Sequence, residues 1–128
     1  MIDQIGTSVS RETMERLEYF GELTAKWTVK INLIAKSTIP DIWNRHIIDS
    51  AQVFQYAESP QHWVDIGSGG GFPGIVMAIL AKEHAPETKF TLIESDARKC
   101  TFLRTAAREL GLNLYAITQR IELSLIHI

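Results

Sequence analysis

Asp65-Ile66-Gly67-Ser68-Gly69-Gly70-Gly71-Phe72-Pro73-Gly74 places one carboxylate and five glycines within ten residues, between the apolar Trp63-Val64 and a second apolar run over 75–81. Glycine is needed where a side chain would block close approach or where φ must be positive. A strand, a glycine turn and a helix in that order present backbone N–H groups to a ligand. The chemistry that suits this arrangement is the binding of a nucleotide-type cofactor. Glu94, twenty residues past Gly74 and at the end of another apolar run, supplies a second carboxylate, placed to accept hydrogen bonds from two ribose hydroxyls.

Two fingerprints overlap in the turn. Residues 69–74 fit the dinucleotide pattern G-x-G-x-x-G, whereas residues 65–71 fit the acidic-x-Gly-x-Gly-x-Gly turn of S-adenosylmethionine methyltransferases. Asp65 favours the second. An acid at the end of the first strand suits the ammonium and sulfonium side of S-adenosylmethionine, but it would repel a pyrophosphate. The expected cofactor set is therefore Asp65, Gly67, Gly69, Gly71 and Glu94, with Ile121 and Glu122 placed to border the adenine. The plainer alternatives are a tightly packed glycine turn, a turn-supporting Asp65 and a surface Glu122.

The elements that must position these groups change character near residue 60. Before it, Leu17, Phe20, Leu23 or Thr24, Trp27 and Ile31 recur at helical spacing behind a Ser10 cap. A second helix with Pro40 in its first turn would bury Trp43, Ile47, Ala51 and Phe54. After residue 60, strands are expected over 62–66, 89–94 and 112–117. The helix over 75–82 follows the glycine turn; another, capped by Asp96 and ended by Gly111, would bury Cys100, Leu103, Ala107 and Leu110. This β-α-β-α-β order predicts parallel strands with right-handed crossovers. The organisation expected is an N-terminal helical region over 1–60 and, over 61–128, the first part of a cofactor domain whose parallel sheet is incomplete.

Composition sets outer bounds. The 128 residues are 45% hydrophobic and 22% charged, which favours folding, and the net charge of −2 provides no bulk attraction to nucleic acid. The single cysteine, Cys100, excludes an internal disulfide and any multi-cysteine metal centre, so no metal is expected. The amino terminus does not read as a signal peptide, and no apolar run reaches the ~20 residues of a membrane span. A cytoplasmic protein without a membrane partner is expected.

The motifs together resemble the GidB/RsmG family of bacterial small-subunit (16S) ribosomal RNA guanine-N7 methyltransferases. They comprise Ile31-Asn32-Leu33, Ile42-Trp43-Asn44-Arg45-His46-Ile47-Ile48-Asp49-Ser50, the turn from Asp65 to Gly74, Glu94-Ser95, Arg98-Lys99 and Phe102-Leu103-Arg104. The resemblance covers residues 10–122. It implies an α/β, Rossmann-like methyltransferase fold, S-adenosylmethionine as cofactor, small-subunit ribosomal RNA or the assembled subunit as partner, and a monomer. It carries over Gly67 and Phe72 in the cofactor turn and Ile121 and Glu122 beside the adenine. Glu94 stands where the family more often has Asp. A family arginine beyond the third strand has no counterpart, and residues 123–128 do not resemble the family continuation, so a C-terminally truncated domain is expected.

Guanine N7 already carries an in-plane lone pair, so its methylation is an in-line displacement that needs no prior deprotonation. Positioning and desolvation suffice, in keeping with the absence of a nucleophile–base triad in the sequence. Catalytic residues are accordingly left unassigned. Asn32, Arg45 and His46 are candidates for the pocket mouth or for RNA contact, although a His46–Asp49 bond within a helix is an equal alternative. Arg98, Lys99, Arg104 and Arg108 place four cations in eleven positions and could meet phosphates, or simply form a solvated face. The rival readings are methyl transfer to a small molecule, a dinucleotide-dependent oxidoreductase, and an inactive truncated relative that binds cofactor or RNA.

Overall fold

A computed structural model describes residue 5 and residues 8–54, 62–67 and 69–120. Helix α1 spans Arg11–Ile31; it begins where the Ser10 hydroxyl accepts the Thr13 N–H and stops at Asn32, whose φ of 52° is left-handed. A 3-10 helix (Lys36–Asp41), a π-helix (Trp43–Ile48) and α2 (Asp49–Phe54) follow. Strand β1 is His62–Ile66, α3 is Gly74–His84, β2 is Lys89–Glu94, α4 is Ala97–Leu110 and β3 is Leu114–Thr118.

The three strands are parallel in the order β1-β2-β3, with Asp65 beside Leu92 and Glu94 beside Thr118. This is an α/β sheet of Rossmann-like type. Phe90, Leu92, Leu114 and Ala116 point into one buried face against α3 and α4, together with Ile75, Ile79, Leu103 and Ala107. The same core takes in Leu17, Phe20 and Ile47, so residues on both sides of residue 60 share it. On the opposite face Val64, Ile66, Tyr115 and Ile117 are exposed among the described residues.

Two boundaries differ from expectation. The second helix is divided into 3-10, π and α segments, because Pro40 has no N–H to give to an α-helical ladder and sits inside the 3-10 turn. Its stripe still points inward: Ile47 and Ala51 are fully buried, and Trp43 and Phe54 pack against the core. Strand β3 starts two residues later than expected, because Leu112 is taken up in the cap of α4, its N–H donating to the Ala107 carbonyl after Gly111 turns left-handed. The cap of α4 is as read: Asp96 accepts the N–H groups of Arg98 and Lys99. Cys100 is a buried thiol on the core-facing side of α4.

Candidate cofactor site

The glycine turn joins β1 to α3 at the C-terminal end of the sheet, the usual place for a ligand in an open α/β fold. Its first link to the sheet is the Gly67 N–H, which donates to the Ile93 carbonyl at 2.7 Å. Glu94 then ties the turn to the head of α4. One carboxylate oxygen accepts the Gly69 N–H at 2.8 Å and the other accepts the Asp96 N–H at 2.9 Å. A carboxylate that is only 6% exposed is tolerable in this position because two backbone donors meet it. Oε2 also accepts the Ser95 hydroxyl at 3.5 Å, so the spare acceptor capacity for a ribose hydroxyl lies on Oε1.

The glycines divide into two kinds. Among the described residues, a Cβ on Gly67 would meet nothing within 4 Å, and one on Gly69 would meet only the Gly67 carbonyl, at 4.0 Å. Further along, a Cβ on Gly70 would lie 3.0 Å from the Leu33 carbonyl oxygen, one on Gly71 2.5 Å from Ile75, and one on Gly74 2.7 Å from Asp65 Oδ2. Open space therefore adjoins Gly67 and Gly69, next to the Glu94 carboxylate, while the later glycines are packed. Asp65 is half-buried, with its Oδ2 directed at the packed end of the turn. These residues fit a cofactor with hydroxyl donors and a cationic end. The turn backbone has room to approach a ligand, and two carboxylates flank it.

Phe72 lies beneath this turn, its ring 5.2 Å from that of Phe20 in α1 and 5.2 Å from that of His46 in the π-helix. His46 Nε2 is 2.8 Å from Thr38 Oγ1, so the partner of this ring is Thr38 rather than the Asp49 considered from sequence. Burial and the neighbouring Arg45 hold the His46 imidazole below its ordinary value, with Asp49 opposing them. Arg45 and Asn32 are exposed, and Asn32 serves as the cap of α1.

The structure thus brings together Asp65, Gly67, Gly69, Gly71, Phe72, Glu94 and His46. Ile121 and Glu122 lie outside the described residues. The basic residues run along α4 away from the turn. Arg98 pairs with Asp96 at 3.9 Å, and the Arg104 Nε–H donates to the Ala116 carbonyl on the edge strand. Arg104 and Arg108 line a cavity of about 330 Å³ with Tyr115. A larger cavity of about 500 Å³ lies at the opposite, N-terminal end of the strands, bounded by Ser10, Arg16, Lys82 and Asn113. Sequence reasoning missed the Leu33 carbonyl against Gly70 and the Thr38 bond to His46; both are contacts across the chain that no spacing rule encodes.

Residues 13–127 match the family described as GidB, rRNA small subunit methyltransferase G. The chain belongs to the GidB family. It is 56% identical over 115 residues to the ribosomal RNA small subunit methyltransferase G of Ruegeria pomeroyi, an alignment covering 90% of this chain and 56% of that relative. The protein of the same name from another Ruegeria strain is 57% identical over 114 residues, 89% of this chain and 56% of the relative. That of a Jannaschia species is 55% identical over 114 residues, 88% of this chain and 54% of the relative. The chain therefore spans a little over half the length of these curated relatives. Among the described residues, no helix is long and apolar enough to cross a membrane, and no group of three or more potential ligands could hold a metal ion.

Proposed function

We propose that this chain carries the S-adenosylmethionine-binding part of an enzyme that methylates guanine N7 in small-subunit ribosomal RNA, acting as a cytoplasmic monomer. The observation that carries the reading is the open space at Gly67 and Gly69 beside the buried Glu94 carboxylate, at the C-terminal end of a parallel sheet. The family membership and the names of the relatives give that site its chemistry. In this reading, residues 1–60 form the helical region and 61–128 the first part of the methyltransferase domain.

When bound, the cofactor supplies a methyl group on a sulfonium centre. Glu94 would hold its ribose hydroxyls, and Asp65 would balance its cationic end. Gly67, Gly69 and Gly71 would shape the backbone around it, with Phe72 beneath and Ile121 and Glu122 beside the adenine. The protein need not remove a proton from guanine N7, so its work is to orient the base and exclude water. Arg98, Lys99, Arg104 and Arg108 would contact RNA phosphates, and Asn32 and Arg45 would border the entrance. Two carboxylates beside the turn disfavour the pyrophosphate of a dinucleotide.

Calorimetric titration with S-adenosylhomocysteine, with NADH as control, tests the pocket. Saturable binding of the first alone is expected, followed by methyl transfer to a ribosomal RNA fragment or to the assembled small subunit. Binding of NADH alone would overturn the reading, and so would cofactor binding without methyl transfer to either RNA substrate by the intact protein.

A further inference from the structure

Five aromatic rings form a continuous run from Trp27 in α1, by way of α4 and the cofactor turn, to His46 in the π-helix. Trp27 lies 5.5 Å from Phe102, Phe102 6.0 Å from Phe20, Phe20 5.2 Å from Phe72, and Phe72 5.2 Å from His46. All the contacts are tilted, the arrangement that the ring quadrupoles favour. His46 ends the run, and its own orientation is fixed from outside. The Thr38 hydroxyl hydrogen is directed to the Ala35 carbonyl at 2.6 Å, so Thr38 Oγ1 accepts from His46 Nε2–H. A neutral ring near pH 7 then carries its one hydrogen on Nε2, as the lowered pKa of this imidazole allows.

The same connector touches the turn a second time. The Leu33 carbonyl sits where a Cβ on Gly70 would come within 3.0 Å, just after the left-handed Asn32 redirects the chain out of α1. Residues 32–38 therefore grip the cofactor turn at two adjacent points: directly at Gly70 through Leu33, and at Phe72 through Thr38 and His46.

We propose that this connector and His46 form a brace that holds the cofactor turn in its binding geometry, with His46 a positioning residue acting through Phe72 rather than touching cofactor or RNA. The proposal rests on the cofactor reading above and adds a task to it: the N-terminal helical region helps build the cofactor pocket. A site held by locked side chains loses affinity when its supports loosen, even though no ligand contact is removed.

The test is S-adenosylhomocysteine affinity in the intact protein as wild type, Thr38→Val, His46→Phe, His46→Ala and the Thr38→Val/His46→Phe double variant. Affinity for a small-subunit ribosomal RNA fragment is measured on the same proteins. Thr38→Val and His46→Phe each break the same bond but keep a ring on Phe72, so both should weaken binding about two- to fivefold. The double variant should be no weaker than either single variant, because one interaction is being removed. His46→Ala, which also removes the ring, should lose about tenfold or more. KM for the methyl donor should rise while kcat at saturation and RNA affinity stay near wild type. Thr38 and His46 are half-exposed, so the Val and Phe variants decide the matter even if His46→Ala folds poorly. Wild-type cofactor affinity in Thr38→Val and His46→Phe would overturn the brace, as would a loss of RNA affinity with cofactor affinity unchanged. A wild type that binds no S-adenosylhomocysteine would instead overturn the cofactor reading itself, and the brace with it.

Discussion

Within one turn, Gly67 and Gly69 face open space among the described residues, while Gly70, Gly71 and Gly74 are pressed against Leu33, Ile75 and Asp65. The residue type is the same and the reasons for it differ. At the packed end, glycine lets the turn approach α3 and the connector. At the open end, it keeps the backbone accessible beside Glu94. A glycine-rich fingerprint thus mixes folding requirements with binding requirements, and substitution separates them.

Gly71→Ala should have the largest effect on folding. At φ 87° the new Cβ would lie 2.5 Å from Ile75 and 3.2 Å from Leu103, both core residues. Left-handed strain of about 1–2 kcal/mol adds to an overpacking cost of about 1–3 kcal/mol, so a loss of roughly 3 kcal/mol is expected in chemical denaturation. A loss under about 1 kcal/mol would show that the packed end is looser than these contacts imply.

Glu94→Gln probes the junction between the two ends. The amide offers one acceptor oxygen where the carboxylate serves two N–H donors, so either Gly69 or Asp96 loses its partner. A stability loss of about 1–3 kcal/mol is expected. S-adenosylhomocysteine affinity should fall about tenfold or more in the same variant. Loss of stability with intact affinity would reduce Glu94 to a purely structural tie.

Gly67→Asn isolates the open end. Asparagine visits the left-handed region more readily than other side-chain-bearing residues, and here its side chain would enter empty space. Unfolding stability should therefore stay within about 1 kcal/mol of wild type. Cofactor affinity should drop about tenfold because the side chain occupies the approach to the turn. Unchanged affinity would move the ligand away from Gly67.

The same contrast explains how much of the molecule was legible in its sequence. Periodic apolar spacing located α1 and α4, the unbroken apolar run after the glycine turn located α3, and the caps at Ser10, Asp96 and Gly111 are local chemistry that short motifs encode. Alternation of β with α fixed the parallel order. The split of the second helix was less legible, because apolar spacing places Ile47 and Ala51 inward without distinguishing α from 3-10 or π turns. At the site, the carboxylates and the glycine run were visible as types and spacing. Which glycines are packed depends on Leu33 and Leu103 arriving from elsewhere, and Thr38 meets His46 only after the chain has turned at Pro40. Arg104 was legible as a cation, but the bond of its Nε–H to the Ala116 carbonyl is set by α4 packing on β3.

The smallest effect belongs to the opposite end of the sheet, where Glu83 makes a tie that, like Glu94, uses a carboxylate to hold backbone in place but does so near solvent. Its Oε1 accepts the Ser10 N–H at 2.9 Å and the Thr13 hydroxyl, fastening the end of α3 to the start of α1. The Ser10 N–H first, and the Thr13 hydroxyl after it, hold the Glu83 carboxyl below its ordinary value of 4.5. A carboxyl with a depressed folded-state pKa contributes stability above its unfolded value and loses it as pH falls through the folded one. Glu83→Gln should therefore be less stable than wild type at neutral pH, by about 0.5 kcal/mol given the exposure of the group. The gap should close as pH falls below 4.5. Denaturation midpoints of both proteins between roughly pH 3 and pH 7 would show this convergence. A gap that persists into acid would mean that the tie works through packing of the side chain rather than through its charge. The two ends of the sheet would then hold their backbone by different physics: at Glu94 by a buried charge, and at Glu83 by shape.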